Sequence, residues 1–440
     1  MHNCFHHSSL ASMVYPDPDQ YIAHLNTARL PKGFSLYRDR ISFLPRERPG
    51  AGPYGMNISA LISEEKETTG AAVATGNRYP GAPVALLRER ALPGPLRGVV
   101  VNNKVANVGA PQGLEHARAL ADALAAHFSL PQGQTLSIST GVIGWELPVG
   151  EIQESIAHLS AHRCSPREWA EGIMTTDRYP KAVWSGVGDT GATMLGFVKG
   201  AGMIEPNMAT MLGFFVTDLA VAPQVLQEVL RRVVDRSFNA ISVDGDQSTS
   251  DMVVAMANGV SGGSCSALEL ERVWQPLADQ LALEVVRNGE GTAHVIEVTV
   301  RGLANTSLAR RIGRQVVNSP LVKTAVYGND PNIGRILGAV GSALNHYDGS
   351  RTVVEDDLSI AIAGTVVYRD RAFVIDASTE EHLSAAMKAA AMDPVLRGMP
   401  QVHGTVPIVL DFGVPDAEEI RILGSDLSYE YVRENADYRT

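Results

Sequence analysis

The sequence predicts an α/β fold, on three observations. Short β-rich runs bounded by Gly and Pro alternate with longer segments at helical spacing. The order strand then helix recurs along the chain. A hydrophobic content of 45% against 19% charged residues is that of a globular protein with a large core, not a disordered one. In chain order, residues 56–87 read as strands, NISALIS and then GAAVATGNRYPGAPVALL, broken by Gly and Pro turn signals. The strand RGVVVNN follows, then LEHARALADALAAHF, whose Ala and Leu spacing fits an amphipathic helix. TLSIS at 135–139 alternates like a strand, and 151–172 reads as helical with Pro166 interrupting. The run 223–236 suits a helix with Pro in its first turn and basic residues toward its end. GVSGGSCSA at 259–267 is the best internal linker candidate. A helix-like segment then runs to about 287, and a Gly turn leads into the alternating strand that ends VIEVTVRGL.

At 440 residues the chain suggests two or three structural units, taking about 150 residues for each. Residues 1–32, with Pro16, Pro18 and Pro31, read as an N-terminal extension. The net charge of −11 and the lack of a Lys/Arg block with interleaved aromatics argue against nucleic acid as a partner. Cys4, Cys164 and Cys265 form no CxxC pair, so neither a zinc site nor a disulfide framework is indicated. The start lacks a basic and a sustained apolar region, and no run approaches the roughly 20 apolar residues of a membrane span. A cytoplasmic protein without metal or organic cofactor is the expectation. Asp244, Asp246, Ser248 and Asp251 invite a calcium reading, but Thr249 and Ala255 stand where an EF-hand needs Gly and Glu. Lys199–Gly202 lacks the order of a phosphate-binding loop and a following helix.

The stretch around which the chain is organised is KGAGMIEPNMATMLGFFVTD, Lys199 to Asp218. A glycine-punctuated loop runs through Pro206 to Ala209-Thr210 and then into an apolar segment. The Thr210 hydroxyl could reach the carbonyl of Ala209, and an N-to-O acyl shift followed by hydrolysis would cut the chain there. The freed α-amino group, with an ordinary pKa of about 8, would then serve as base for its own hydroxyl. A buried strand whose Thr satisfies a backbone group is the plainer reading of an Ala-Thr pair.

This segment resembles the self-cleavage motif of the bifunctional ornithine acetyltransferase / glutamate N-acetyltransferase family, KG-small-GMI-x-PNMATML followed by Thr-Asp. The likeness recurs in order from about Gly33 to Thr440, in ATGNRYPGAPV, STGVIG, GIMTTDRYPK, SFNAISVDGDQSTSDM, NGEGTAH, the 316–341 segment and DLSYEYVRENADYRT. The resemblance implies a layered fold of the N-terminal-nucleophile type, with stacked sheets between helices and a smaller C-terminal α/β portion. It implies an α chain of 33–209 and a β chain of 210–440 that stay associated as an α2β2 assembly. It also implies acetyl transfer from an N-acetylated amino acid, N-acetylornithine in the family, through Thr210 to glutamate, in arginine biosynthesis.

Carried over by the same resemblance, Thr140 and Gly141 supply an oxyanion hole, a role that a hydroxyl and an adjacent N–H can share. Lys199 pairs with a substrate carboxylate and Glu290 with a cationic amine, while Thr176, Asn435 and Thr440 orient the donor. The VDGD stretch is expected as a structural turn beside the site. The chain departs from the family at several positions: NNKVANVG replaces N-S-G-N-A-N-A, Asn288 replaces Asp, His294 replaces Lys, and Ile333 replaces Trp. Lys104 or His294 could therefore approach Glu290 and neutralise it, and Ile333 would alter specificity if it touched substrate. Three other readings stay open from the sequence: an amidohydrolase that passes the acyl group to water, an acetyltransferase with a different amino acid, and a non-enzymatic scaffold.

Overall fold

The computed structural model describes residues 18–205, 211–345, 357–395 and 404–436. In chain order the strands are β1 Phe34–Phe43, β2 Tyr54–Ser63, β3 Thr69–Ala74, β4 Gly94–Pro95, β5 Gly98–Asn102, β6 Thr135–Ser139, β7 Lys181–Val187, β8 Ala192–Lys199 and β9 Leu212–Thr217. They continue with β10 Ile241–Ser242, β11 Met252–Ala257, β12 Val295–Arg301, β13 Ser359–Ile362, β14 Thr365–Arg369, β15 Ala372–Phe373, β16 Val406–Asp411 and β17 Ile420–Ser425.

They form three sheets, ordered β1-β2-β5-β6, β4-β3-β11-β9-β8-β7, and β10-β17-β12-β16-β13-β14-β15. Side-chain alternation along the strands assigns the faces of the first two sheets. In β2, Met56, Ile58, Ala60 and Ile62 join Leu120, Leu124, Ile152 and Ile156 of the helices Gly113–His127 and Val149–His158, whereas Leu61 points to the second sheet. In β9, Leu212, Phe214 and Val216 meet the first sheet, while Phe215 packs with Val229, Val233 and Trp274 of the helices Pro223–Arg236 and Ala267–Arg287. The layers therefore run helix, sheet, sheet, helix, which is the stacked-sheet α/β arrangement the sequence led us to expect. Strands covered on both faces read as unbroken apolar runs, as LGFFVT and MVVAMA do. The third sheet has its own core, built with Ile312, Val316 and Ile336 from the helices Thr306–Asn318 and Ile333–Asn345.

Two sequence expectations are corrected. Residues Ala82–Glu89 are a helix, not a strand, with Pro83 in its first turn and Pro83, Val84 and Leu86 buried. An apolar run this short fits either element by pattern, and Pro at the start of a helix loses no hydrogen bond. The stretch 259–267 is not a linker between units. Its backbone is pinned to the end of β9 through Gly259 N to Leu219 O (3.0 Å) and Ser261 N to Asp218 O (2.9 Å), and both flanks enter one core. Ser266 then caps the next helix through a reciprocal bond with Glu269. Residues 18–25 form a helix whose Tyr21 hydroxyl donates to Pro180 O at 2.5 Å. Among the described residues no helix is long and apolar enough to cross a membrane, and no cluster of His, Cys, Asp and Glu could hold a metal ion.

Trp169 locks the two stacked sheets together. It is fully buried, its indole N–H donates to Ala60 O of β2 at 3.0 Å, and its ring meets Phe214 of β9 edge-on at 5.0 Å. Trp169→Ala should cost about 3–5 kcal/mol, and Trp169→Phe clearly less because a ring still fills the space. Urea titration measures both, and an unchanged midpoint for the Ala variant would show that the sheets do not depend on this contact.

Candidate active site

β5 and β6 run parallel and end side by side, with Asn102 opposite Ser139, so the loops that follow them leave the sheet together. Thr140 N donates to Asn102 O (3.0 Å), Ser139 Oγ donates to Asn102 Oδ1 (2.7 Å), and Asn102 Nδ2 donates to Val105 O (2.9 Å). Val142 N donates to Lys104 O (2.8 Å), and Ala106 N returns a bond to Val142 O (2.8 Å). The NNKVANVG loop, altered from the family pattern, is thus the wall behind the STGVIG turn. Gly141 sits at φ +129°, and a Cβ on it would stand 2.2 Å from the carbonyl carbon of Lys104. Only Gly fits there. Lys104 itself holds φ +76°, at the position where the family pattern has Gly.

From the second sheet, Lys199 at the end of β8 reaches this turn, and its Nζ donates to Thr140 Oγ1 at 2.9 Å. Thr140 is buried and Lys199 half-buried. Burial lowers the Lys199 pKa, while the carboxylates of Asp177, Asp251 and Glu290 act to raise it and Lys181 adds to the lowering. Thr140, Gly141 and Lys199 are therefore one cluster.

A second cluster forms around Glu290. Its N–H donates to Ala201 O (2.9 Å), and its carboxylate lies against Gly202, where a Cβ would stand 2.4 Å from Oε2. Asn435 Nδ2 donates to Glu290 Oε2 at 3.0 Å, and the Thr176 hydroxyl also donates to this carboxylate. Burial raises the Glu290 pKa. Those two hydrogen bonds oppose the rise, and Asp244 and Glu434 reinforce it. His294 does not neutralise Glu290, because its ring nitrogens are bound to Asp426 Oδ2 (2.7 Å) and Asn329 Oδ1 (3.2 Å). Lys104 is exposed behind Gly141. Ile333 belongs to the buried core of the third sheet and joins neither cluster.

The two clusters are joined by residues that the sequence reading left without a role. Asp177 Oδ1 accepts from Lys181 Nζ (2.7 Å) and from Gly200 N (2.8 Å), and Oδ2 accepts from Thr175 N (3.1 Å). The Asp177 and Lys181 side chains are both fully buried. Burial alone would raise the Asp177 pKa, but the ammonium groups of Lys181 and Lys199 and the Gly200 N–H hold it down at about 2. Asn288 Oδ1 accepts from Lys181 Nζ (2.7 Å) and Arg178 N (3.2 Å). The one available signal was the pair Asp177 and Lys181 within the TTDRYPK string. Within the VDGD stretch Asp246 N donates to Asp244 Oδ1 (3.2 Å), and the same carboxylate holds the loop after β8 by accepting from Met203 N (2.7 Å) and Ile204 N (2.8 Å).

Ala209, Thr210 and Thr440 lie outside the described residues. Met211, the residue after Thr210, has its Cβ 3.3 Å from where a Cβ on Gly200 would stand, and Leu212 pairs with Lys199 across β8 and β9.

The pattern of the ArgJ family matches residues 55–440. A Streptomyces clavuligerus protein named glutamate N-acetyltransferase Oat2 is 37% identical over 418 residues, covering 94% of this chain and 99% of that protein. The arginine biosynthesis bifunctional protein ArgJ of Geobacter sulfurreducens is 40% identical over 393 residues, covering 87% and 94%. A solved Bacillus halodurans structure of that name is 34% identical, with a TM-score of 0.45 over 52% of this chain and 100% of that one.

The crowding at the turn can be tested directly. Gly141→Ala should destabilise by about 1–3 kcal/mol, whereas Lys104→Gly should stabilise by up to about 1 kcal/mol by relieving its positive φ. Urea midpoints read both, and a neutral Gly141→Ala would contradict the contact.

Proposed function

Since the chain belongs to the ArgJ family and is therefore an N-acetyltransferase, we propose that it cuts itself between Ala209 and Thr210. We further propose that it then carries acetyl on Thr210 from an N-acetylornithine-like donor to glutamate or another amine. The observation that carries this reading is the Lys199–Thr140–Gly141 cluster, with Met211, the residue that follows Thr210, packed against Gly200 beside Lys199.

In the first step the Thr210 hydroxyl attacks the Ala209 carbonyl carbon. The peptide C–N bond gives way to an ester, and water hydrolyses the ester, leaving an Ala209 carboxylate and a free α-amine on Thr210. In turnover that amine takes the hydroxyl proton while Oγ attacks the donor's acetyl carbon, and the Thr140 hydroxyl and Gly141 N–H hold the oxyanion. The proton passes to the leaving nitrogen, the deacetylated amino acid departs, and the acceptor amine takes the acetyl group by the reverse path. Glu290 binds the cationic end of the donor, and Thr176, Asn435 and Thr440 orient it. No step calls for a metal or an organic cofactor. The cut chains remain together, as an α2β2 assembly in this reading. The hydrolytic alternative differs only in the acceptor.

Cutting the 440-residue chain after residue 209 leaves 231 residues, so a denaturing gel should show two bands, and Thr210→Ala one. Incubation with N-acetylornithine should add one acetyl group to the 231-residue chain by mass spectrometry, with acetyl-glutamate outpacing free acetate when glutamate is present. Active enzyme that runs as one full-length band would overturn the reading, and free acetate as the main product would turn it toward the hydrolase.

Donor choice tests Glu290. A half-buried carboxylate held by the neutral Asn435 and Thr176 gains strongly from a cation, so kcat/KM for N-acetylornithine should exceed that for N-acetylnorvaline by well over about tenfold. Glu290→Gln should remove the preference. Equal values in the wild type would point to a different amino-acid donor.

A further inference from the structure

We propose that Lys199 acts on the reaction through Thr140, as a positioning residue that fixes the direction in which the Thr140 hydroxyl donates, and that Asp177 anchors Lys199 for that task. This rests on the reading of Thr140 as an oxyanion donor, and it gives Lys199 a role besides binding a substrate carboxylate.

A threonine hydroxyl both donates and accepts, and its hydrogen rotates to suit its neighbours. An ammonium group only donates. The 2.9 Å contact between Lys199 Nζ and Thr140 Oγ1 can therefore be made one way, with lysine donating and threonine accepting. One lone pair of Oγ1 is thereby committed, and the hydroxyl hydrogen is turned away from Lys199, free to meet a developing oxyanion. A neutral lysine could accept that hydrogen instead, and the donor would be lost. The charge of Lys199 therefore decides whether the hole has one donor or two.

That charge is poorly solvated, and the groups facing it are specific. Asp177, Asp251 and Glu290 favour the ammonium, whereas burial and Lys181 disfavour it. Asp177 also holds the backbone, since its Oδ1 accepts from the N–H of Gly200, the residue after Lys199. The same carboxylate grips Thr175 N and Lys181 Nζ. One buried group thus sets the position of the lysine and favours its protonated state.

A double-mutant cycle separates this role from substrate binding. The measurements are kcat and KM of Lys199→Met, Thr140→Val and the double variant, each normalised to the amount of cut chain. Each single change should lower kcat by about a hundredfold, the scale of one lost oxyanion donor, and the double variant should be within about twofold of Thr140→Val alone. Lys199→Arg, which still only donates, should keep most of kcat. If Lys199→Met costs the same factor in both backgrounds, and costs it in KM, Lys199 serves the substrate carboxylate and the proposal is overturned while the oxyanion reading stands. If Thr140→Val leaves kcat unchanged, both fall. The part played by Asp177 is read from the pH profile of Asp177→Asn, which also decides the matter if the Met variant fails to fold or to cut. Losing a carboxylate that raises the Lys199 pKa must lower that pKa, so the alkaline limb of kcat should move to lower pH. An unmoved limb would remove Asp177 from the scheme.

Discussion

The site depends on one buried carboxylate. Asp177 sits out of water with three hydrogen bonds, to Lys181, Gly200 and Thr175. Each bond belongs to a different stretch of chain: the start of β7, the loop after β8 and the TTD turn. A charge in such a place is tolerated only when its neighbours replace the lost water. Here they do so with two nearby ammonium groups and two backbone N–H groups, and the carboxyl stays ionised down to about 2. Removing it would strand Lys181, whose other partners, Asn288 Oδ1 and the Tyr179 carbonyl, carry no formal charge. An apolar replacement could fill the volume, but it could not tie the loop after β8 to the TTD turn.

The two ends of the site use opposite electrostatic settings. Around Thr140 positive charge gathers, from Lys199 and from the backbone N–H groups of a turn that leaves the ends of two parallel strands. Around Glu290 negative charge gathers, from Asp244 and Glu434, and burial makes that carboxylate easier to protonate than an exposed one. A molecule with a carbonyl at one end and a cation at the other gains at both. The Asn288 replacement leaves one formal charge fewer near Lys181 than the family's Asp would, so the balance at the junction rests more heavily on Asp177.

Much of this was legible in the residues, for identifiable reasons. The central strands of the six-stranded sheet are buried on both faces, so LGFFVT stands out in the sequence as the apolar segment after Ala209-Thr210, while the equally apolar MVVAMA drew no strand assignment. Thr140, Gly141, Thr176, Lys199, Glu290 and Asn435 sit in strings long enough to be recognised, and the structure brings them into two adjoining clusters. Short-range ambiguity hid the helix Ala82–Glu89, where eight residues satisfy either period. Composition misled at 259–267, because Gly and Ser serve a tightly pinned turn as well as they serve a linker. Asp177 could not be read as a hub, because its Gly200 bond spans 23 residues and the Lys181–Asn288 bond beside it spans 107, and such contacts leave no local periodicity.

Sequence distance also becomes time. The Glu290 carboxylate is walled by Thr176, made long before it, and by Asn435, which lies 145 residues later. At roughly 5–20 residues per second of synthesis, that interval is on the order of ten seconds or more. During it the residues of the stacked sheets and of the Thr140 turn have all been made, but Asn435, which donates to the Glu290 carboxylate, has not. The Asn435 bond to Glu290 is therefore among the last contacts of this cluster that the chain can make, after every strand of the two stacked sheets is complete.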